Sequence, residues 1–565
     1  MDPTFRLQDY PVVVGIDFGT TYSGAAYGIV TAGGESEISH IHSWPKQSGL
    51  RYPKLYNYDT KTLAMWGNAA RIERSKGLSK HNYLFLQQYK LYLDESLDGV
   101  IRSLPEGFKP VEIIADYLRE FHQHVLSEMR KGFAQQFEGR YRYCLTVPAM
   151  WSDKAKQAMR DAAILAGIIS ADDHHDRLML ISEPEAAAIY CEKTCEQFNM
   201  ESGDEFMICD AGGGTVDLIV FNVKQDLSGN RQFRESTKGM GKSCGSAFLD
   251  KNMRKLLKAK LRKVVNEIPP AAMETMMQHF IGISSKFLLL SNRLGVEDTK
   301  PRFDGTEEMF LSVPMSLGLV EQTDASIGLF EGNLALSVEE LKEKVFEPVI
   351  QDVIGCIHKQ KQQTTNLKAI FMVGGFGSSH YLYHRVSEEF KAEGIKVITP
   401  HRAELAVSRG AVYFGMNPRK VTTRVPRYWY GIDITHTFEE GVDPPEFKII
   451  KPDGSIRCDN RFSVFVRRGE PLDIDSCITK KYMAFYPRNT ICTFFAASTE
   501  EEPRYTLQDG VRKVFDFEIP MRELPGVRPG DQVELTIHMY FGEVELRVEA
   551  VIMDKKYAVV CNFNV

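Results

Sequence analysis

The segment Asp210-Ala-Gly-Gly-Gly-Thr-Val-Asp217 gathers two carboxylates, three successive glycines and a hydroxyl into one short turn between apolar runs. Three glycines in a row carry more backbone entropy than a plain hairpin needs. They suit a chain that approaches a ligand closely and aims bare N–H groups at an anion. Asp210 and Asp217 would repel a lone phosphate, but a divalent metal between carboxylates and phosphates reverses the sign. The stretch therefore reads as a loop for a metal-bound polyphosphate. An ordinary glycine-rich hairpin has the same local pattern.

A second copy argues against the ordinary hairpin. Val12-Val-Val-Gly-Ile-Asp17-Phe-Gly-Thr-Thr-Tyr-Ser-Gly24 repeats the order of apolar strand, Asp, one residue, Gly and hydroxyl residue, and a further strand runs through Ala25 to Val30. Two such units imply a duplicated domain closing on one ligand from both sides. No Gly-Lys-Ser/Thr follows either loop, and a strand rather than a helix follows the glycines. A Walker loop and a dinucleotide-binding turn are thereby excluded. Backbone donors come from Gly19, Thr20, Thr21, Tyr22, Gly212, Gly213, Gly214 and Thr215, and Asp17 and Asp210 hold the water shell of a magnesium ion. Phosphoryl transfer also needs a cation at the transferring group and a residue that orients water. The residues alone leave both unassigned.

These elements must be positioned by a scaffold, and its parts are legible in turn. Pro110–Phe133 has apolar residues at three- and four-residue spacing and reads as a helix. Tyr141–Val147 and Leu178–Ser182 read as strands, Asp153–Ala166 as a helix ended by Gly167, and Glu183-Pro184 opens another helix. Cys244–Val265 is helical, and Ile268–Gly332 reads as irregular. Ser337 and Glu340 form a capping box for a long helix in which Pro348 should kink the axis. Ala369–Val373 is a strand turning through Gly374–Ser379 into a helix, and Glu404–Gly415 is a last helix. The segment His40–Leu104 has no clean period and reads as an insertion. Beyond the basic, proline-bracketed stretch Asn417–Arg427 the period changes to two, with strands over Thr490–Ala496, Val533–Phe541, Val544–Met553 and Tyr557–Val560. Alternating helix and strand followed by all-β means two domains.

The two loops resemble the phosphate loops of the actin-like ATPase superfamily, and their wording is most similar to a divergent branch of the seventy-kilodalton heat-shock (DnaK-type) chaperone family. That resemblance implies an α/β, two-lobed actin-like fold of duplicated ribonuclease H-like subdomains over residues 1–417, a linker at 418–427, and a sandwich-like all-β domain without helical lid over 428–565. It also implies ATP or ADP with Mg2+ as ligands. Phe85-Leu-Gln-Gln-Tyr-Lys90 resembles the family segment whose lysine reaches the terminal phosphate. Ile181-Ser-Glu-Pro-Glu-Ala-Ala-Ala188 resembles the element whose glutamate, here Glu183, stands near the attacking water; simple helix capping is its bland alternative. With Asp210 and Thr215 these complete the implied catalytic set. Gly374, Gly375, Phe376 and Ser378 resemble the adenosine-side turn, and Glu297 with Lys300 the pair across from it, although Pro301 stands where an arginine usually follows. Pro148 resembles the family's interdomain proline switch, with Lys156 in place of its arginine partner. Lysine lacks the planar donor fork, which weakens any such relay.

At 565 residues, 43% apolar and 25% charged, with a net charge of −6, the chain has an ordinary globular composition. It offers no basic arm for nucleic acid and no apolar run for a membrane. Ten cysteines without framework spacing point to a reduced, cytoplasmic setting. Asp172 to Asp176 reads as a solvated loop rather than a metal site, and Cys191 with Cys195 as packed thiols. The expected activity is ATP binding and hydrolysis in a chaperone-like protein, with unfolded peptide or a co-chaperone as partner of the β domain. A sugar-kinase-type phosphotransferase and a non-enzymatic nucleotide-gated adaptor or polymer are the rival readings on the same fold.

Overall fold

The runs flanking both acidic-glycine turns form hairpins in the computed structural model. It describes residues 9–30, 37–44, 50–51, 54–67, 69–70, 73, 82–97, 101, 103–132, 137–195, 198–227, 229–281, 299–451, 454–521, 524–541, 546–553 and 555–560. Strand β1 (Val12–Phe18) pairs antiparallel with β2 (Tyr22–Ile29), from Val12 opposite Ile29 to Phe18 opposite Ser23. After helix α1 (Pro110–Arg130), strands β3 (Tyr141–Val147) and β4 (Leu178–Ser182) extend the sheet in parallel to the order β2-β1-β3-β4, and α2 (Glu183–Thr194) follows at once. Strands β5 (Glu205–Ala211) and β6 (Val216–Gln225) form the second hairpin. Helices α3 (Ser246–Leu261) and α4 (Pro270–Ile281) precede β7 (Leu367–Val373) and β8 (Lys396–Ile398), which again extend the sheet in parallel, in the order β6-β5-β7-β8. The duplication seen in two loops is thus a duplication of whole sheets. Strands of this kind, covered on both faces, need continuous apolar runs rather than alternation, as Val12–Val14 and Met207–Cys209 supply.

The chain forms two compact units. The first comprises Met1–Met150, Ala162–Val223 and Met240–Pro418; the second comprises Trp151–Asp161, Lys224–Gly239 and Arg419–Val565. In the first unit, helix α5 (Ala406–Met416) lies so near α2 that a Cβ on Gly410 would sit 1.8 Å from the Ala186 carbonyl oxygen. The region read as irregular, Ile268–Gly332, is corrected by α4, whose Met273, Met276, Met277 and Phe280 follow helical spacing and are buried, and by strands at Met309–Ser312 and Leu329–Phe330. Residues 282–298 of it lie outside the described residues. The Ser337–Glu340 capping box is present. The expected distortion at Pro348 takes the form of a π-helical turn, Lys342–Phe346, just before Glu347–Lys361. Proline lacks an N–H and its ring crowds the carbonyl four residues back, so the preceding turn widens. His40–Leu104 contains a small sheet of Lys54–Asn57, Leu63–Trp66 and Tyr83–Leu86.

In the second unit, sheets of five and four strands share one core, in which Phe465, Phe494, Phe515 and Phe517 meet Leu535, Ile537, Val548 and Ala550. Strands Trp429–Thr437, Ile456–Val466, Cys477–Phe485 and Val511–Ile519 join those expected from period-two alternation. Val421–Arg424, inside the basic stretch read as linker, is a strand parallel to Arg231–Glu235. Its flanking cations bind carbonyls: Lys420 Nζ donates to Arg231 O at 2.6 Å and Arg427 Nε to Gly239 O at 2.7 Å. No helix among the described residues is long and apolar enough to cross a membrane.

The α2–α5 contact makes a direct prediction. Gly410→Ala should lower stability by about 1–3 kcal/mol in urea unfolding, because two helices must separate. Gly355→Ala, where an added carbon meets nothing within 4 Å, should be neutral or slightly stabilising.

Candidate nucleotide-binding site

Each hairpin turn is closed in the same way. Gly19 N donates to Tyr22 O at 3.1 Å, and Gly212 N donates to Thr215 O at 3.0 Å. Asp17 and Asp210 each precede that glycine by two residues, at the end of a buried strand. The two turns face each other: a Cβ on Gly213 would fall 2.1 Å from Thr21 Oγ1, and one on Gly214 2.6 Å from Thr20 Oγ1. Only glycine allows this approach.

The carbonyls of the second turn are taken by the start of α3. Gly245 N, Ser246 N and Ala247 N donate to the carbonyls of Gly214, Gly212 and Gly213 at 3.0, 3.1 and 2.8 Å. With its acceptors engaged from behind, the turn presents donors to the other side. Behind Asp210 stands Gly374, at φ 82°, where a Cβ would lie 2.4 Å from Asp210 Oδ1.

Lys90 sits on a 3-10 turn, Tyr89–Leu93, entered through left-handed Gln88. It is buried, and its Nζ lies 2.6 Å from Glu183 Oε1. Glu183 begins α2 but does not cap it. Ser182 Oγ accepts from Glu185 N and Ser182 N donates to Glu185 Oε2, which completes a capping box and frees Glu183 to face the lysine. The bland capping role therefore belongs to its neighbours.

One cavity of about 460 Å3 collects these groups, a size suited to a small organic ligand. Its walls include Asp17, Gly19, Thr20, Thr21, Tyr22, Lys90, Glu183, Asp210, Gly212, Gly213, Gly214, Thr215, Lys300, Gly374, Gly375 and Phe376. Lys300 Nζ donates to Ser246 O at 2.8 Å and to Asp250 Oδ1 at 2.5 Å. Ser378 is not among the lining residues; its hydroxyl turns back to Gly374 O, and Ser379 lines the cavity instead. Glu297 lies outside the described residues. Pro148 is buried in the first unit, whereas Lys156 belongs to the second, 3.6 Å from Asp153, which also accepts from the Tyr430 hydroxyl.

Sequence reasoning missed His40, His42 and Trp44, as well as Ser246, Asp250, Arg402 and Glu404, all of which line the cavity. Two signals were available. His40, His42 and Trp44 alternate with period two, and Ser246 and Asp250 are one helical turn apart.

Charge dominates this cavity. Asp17, Asp210 and Glu183 line it with one buried lysine in direct contact, and Asp217 stands behind. Enclosure by the walls raises Asp17 to about 7, helped by Glu183 and opposed by Lys90 and the Thr146 hydroxyl. Asp210 is pushed well above the carboxylate range by burial first, then by Glu183, Asp217 and Asp17. Such an excess of enclosed negative charge fits a divalent cation. No group of three or more His, Cys, Asp or Glu side chains that could hold a metal directly occurs among the described residues. Asp17 and Asp210, two carboxylates lining the cavity at the ends of the facing hairpins, would fit a hydrated divalent ion. Thr21 Oγ1 and Ser23 Oγ, both buried on this wall, have no partner among the described residues.

Comparison with known families matches residues 87–278, from the turn bearing Lys90 through the second acidic-glycine loop to α4, to the family described as "Hsp70 protein". "Heat shock 70 kDa protein 12B" of Homo sapiens is 26% identical, over 96% of this chain and 89% of its own length. These matches support a divergent Hsp70-family member. Most of the matched stretch lies in the first unit. "Heat shock 70 kDa protein 12A" of Mus musculus is 25% identical over 97% of this chain and 91% of its own. "Chaperone protein DnaK" of Anaplasma marginale is 22% identical over 67% of this chain and 54% of its own. The chain therefore aligns over nearly its full length with the 12-type proteins and only in part with DnaK.

The raised Asp17 predicts a pH-dependent stability. Its folded pKa, about 7, lies above its ordinary value of 3.8, so the penalty is absent at pH values below the ordinary value and complete above 7. Asp17→Asn should therefore raise Tm relative to the parent by an amount that grows from pH 4 to pH 7 and then levels. A constant difference across that range would contradict the assignment.

Proposed function

We propose that this Hsp70-family protein binds ATP and ADP with Mg2+ between its two acidic-glycine hairpins and hydrolyses ATP in a chaperone-like cycle. One observation carries the reading: two hairpin turns of identical closure face each other across a cavity that also contains the buried Lys90–Glu183 pair. A sugar acceptor would require a further base-bearing pocket. Solution scattering with ATP, and an assay for phosphorylation of small sugars, would reveal the polymer and phosphotransferase readings.

In the proposed mechanism the N–H groups of Gly19–Tyr22 and Gly212–Thr215 bind the phosphates, the second set aimed by α3 from behind. Asp17 and Asp210 hold the hydrated cation. Bound magnesium supplies charge neutralisation on the phosphates. Lys90 supports the terminal phosphoryl group, and Glu183, held against Lys90 by a buried ion pair, orients water by accepting its hydrogen. Lys300 and the glycine turn at Gly374–Phe376 flank the nucleoside. Thr215 contributes its hydroxyl beside Asp210. The relay between Pro148 and Lys156, and binding of unfolded peptide or a co-chaperone by residues 428–565, form the regulatory part of the proposal, in the cytoplasm.

Calorimetry with Mg-ATP tests the site. Asp210→Ala and Gly213→Val should abolish binding, the second because added carbons collide with Thr21. Lys90→Ala and Glu183→Ala should retain binding and slow phosphate release by about 10²-fold or more; turnover equal to the parent would remove both from catalysis. A photo-crosslinkable unfolded peptide on the full chain should label residues 428–565, with little change on adding ATP. Large ATP-driven release would show strong coupling instead.

A further inference from the structure

The outer face of the four-stranded sheet carries a cluster that the nucleotide chemistry does not use. Cys477 is the first residue of the edge strand Cys477–Phe485. Among the described cysteines it is the exposed one, Cys195 being half-buried and the others buried. The pairing register sets Cys477 opposite Tyr540 and Tyr540 opposite Arg547; one step along the same face, Thr479 is opposite His538 and His538 opposite Glu549. Side chains two residues apart on paired strands share a face, so all six gather on one side.

Their contacts converge on the thiol. Cys477 Sγ lies 3.8 Å from His538 Nδ1 and 3.8 Å from Thr479 Oγ1, and Thr479 Oγ1 is 2.8 Å from the same imidazole nitrogen. The Tyr540 hydroxyl donates to Glu549 Oε2 at 3.0 Å. The Arg547 guanidinium stacks on the Tyr540 ring at 4.1 Å. Farther along the face, Lys481 pairs with Glu534 at 2.8 Å. An exposed thiol with an imidazole within proton-transfer reach and a hydroxyl beside both is the environment of a reactive cysteine. Buried cysteines such as Cys209 or Cys356 lack the access.

We propose that Cys477 is a modification site, undergoing thiol–disulfide exchange with small disulfides that bear carboxylates. His538 takes the proton from Cys477 Sγ. The thiolate attacks one sulfur of the disulfide; the new S–S bond forms as the old one breaks, and the departing thiolate takes the proton back from the imidazolium. Cys477 is oxidised and the incoming disulfide is reduced, with atoms and electrons in balance. Arg547 lies two strands from Cys477, about 10 Å across the sheet, and offers a carboxylate a charge-assisted partner within the span of a tripeptide thiol.

Glutathione disulfide is the probe. The native full chain at pH 7 should acquire one glutathionyl group, mapped by peptide mass spectrometry to Cys477 and absent in Cys477→Ser. The native rate should exceed that of Cys477 in the urea-unfolded chain. His538→Gln should slow the reaction about tenfold or more at pH 7 and converge with the parent at pH above 9, where thiols ionise unaided. Arg547→Ala should slow glutathione disulfide but not the uncharged hydroxyethyl disulfide. His538→Asn replaces the glutamine variant if urea unfolding shows the latter destabilised. Modification elsewhere in the chain, equal rates in native and unfolded protein, or a pH profile unchanged by His538 replacement would overturn the proposal.

Discussion

Enclosing several carboxylates in one cleft is the constraint around which the first unit is organised. Asp17, Asp210 and Glu183 line a single cavity with Lys90 as their buried counter-charge, and Asp217 lies close behind. Like charges held out of bulk water raise one another's proton affinity, and burial adds to the effect. Such an arrangement opposes stability in the free protein and is relieved by a cation or protons. Removing either partner of the Lys90–Glu183 pair would leave a buried charge uncompensated, which is the costly direction. The cleft is electrostatically incomplete by design, and completing it is the task proposed for a metal-bound nucleotide.

The scaffold holds these charges by repeating one solution twice. Each sheet places an aspartate at the end of a buried strand, turns through glycines and returns antiparallel, while two parallel strands fix the hairpin from the other side. Precision comes from backbone approaches that tolerate no side chain. The second turn is held by the N–H groups of α3, and Gly374 closes on Asp210 from behind. Glu183 reaches its place through a helix capped by other residues. The α2–α5 contact extends the same logic: a single methyl at Gly410 would move the helix that carries the glutamate.

The second unit follows different rules. Its sheets share an aromatic core on their inner faces and expose alternating side chains outward. That alternation makes many strands visible in sequence and places Cys477, Thr479 and Lys481 on one surface. Strands such as Ile456–Val466 escaped detection because polar residues, register shifts and a left-handed Asn460 interrupt the period. The basic stretch after Pro418 escaped for another reason: its strand partner, Arg231–Glu235, lies nearly two hundred residues earlier.

Local chemistry was determined by sequence alone. Two Asp-x-Gly turns between apolar runs dictated the hairpins, and proline, glycine and capping residues dictated most helix ends, since these effects act within a few residues. The Lys90–Glu183 pair could be named from a resemblance, but its burial and 2.6 Å contact depend on a turn and a helix meeting across ninety-three positions. The same holds for His40, Trp44, Ser246 and Arg402 around the cavity, and for the Cys477–His538 approach. Such juxtapositions are created by packing, whose energy is spread over many weak contacts, and no short window of residues records them.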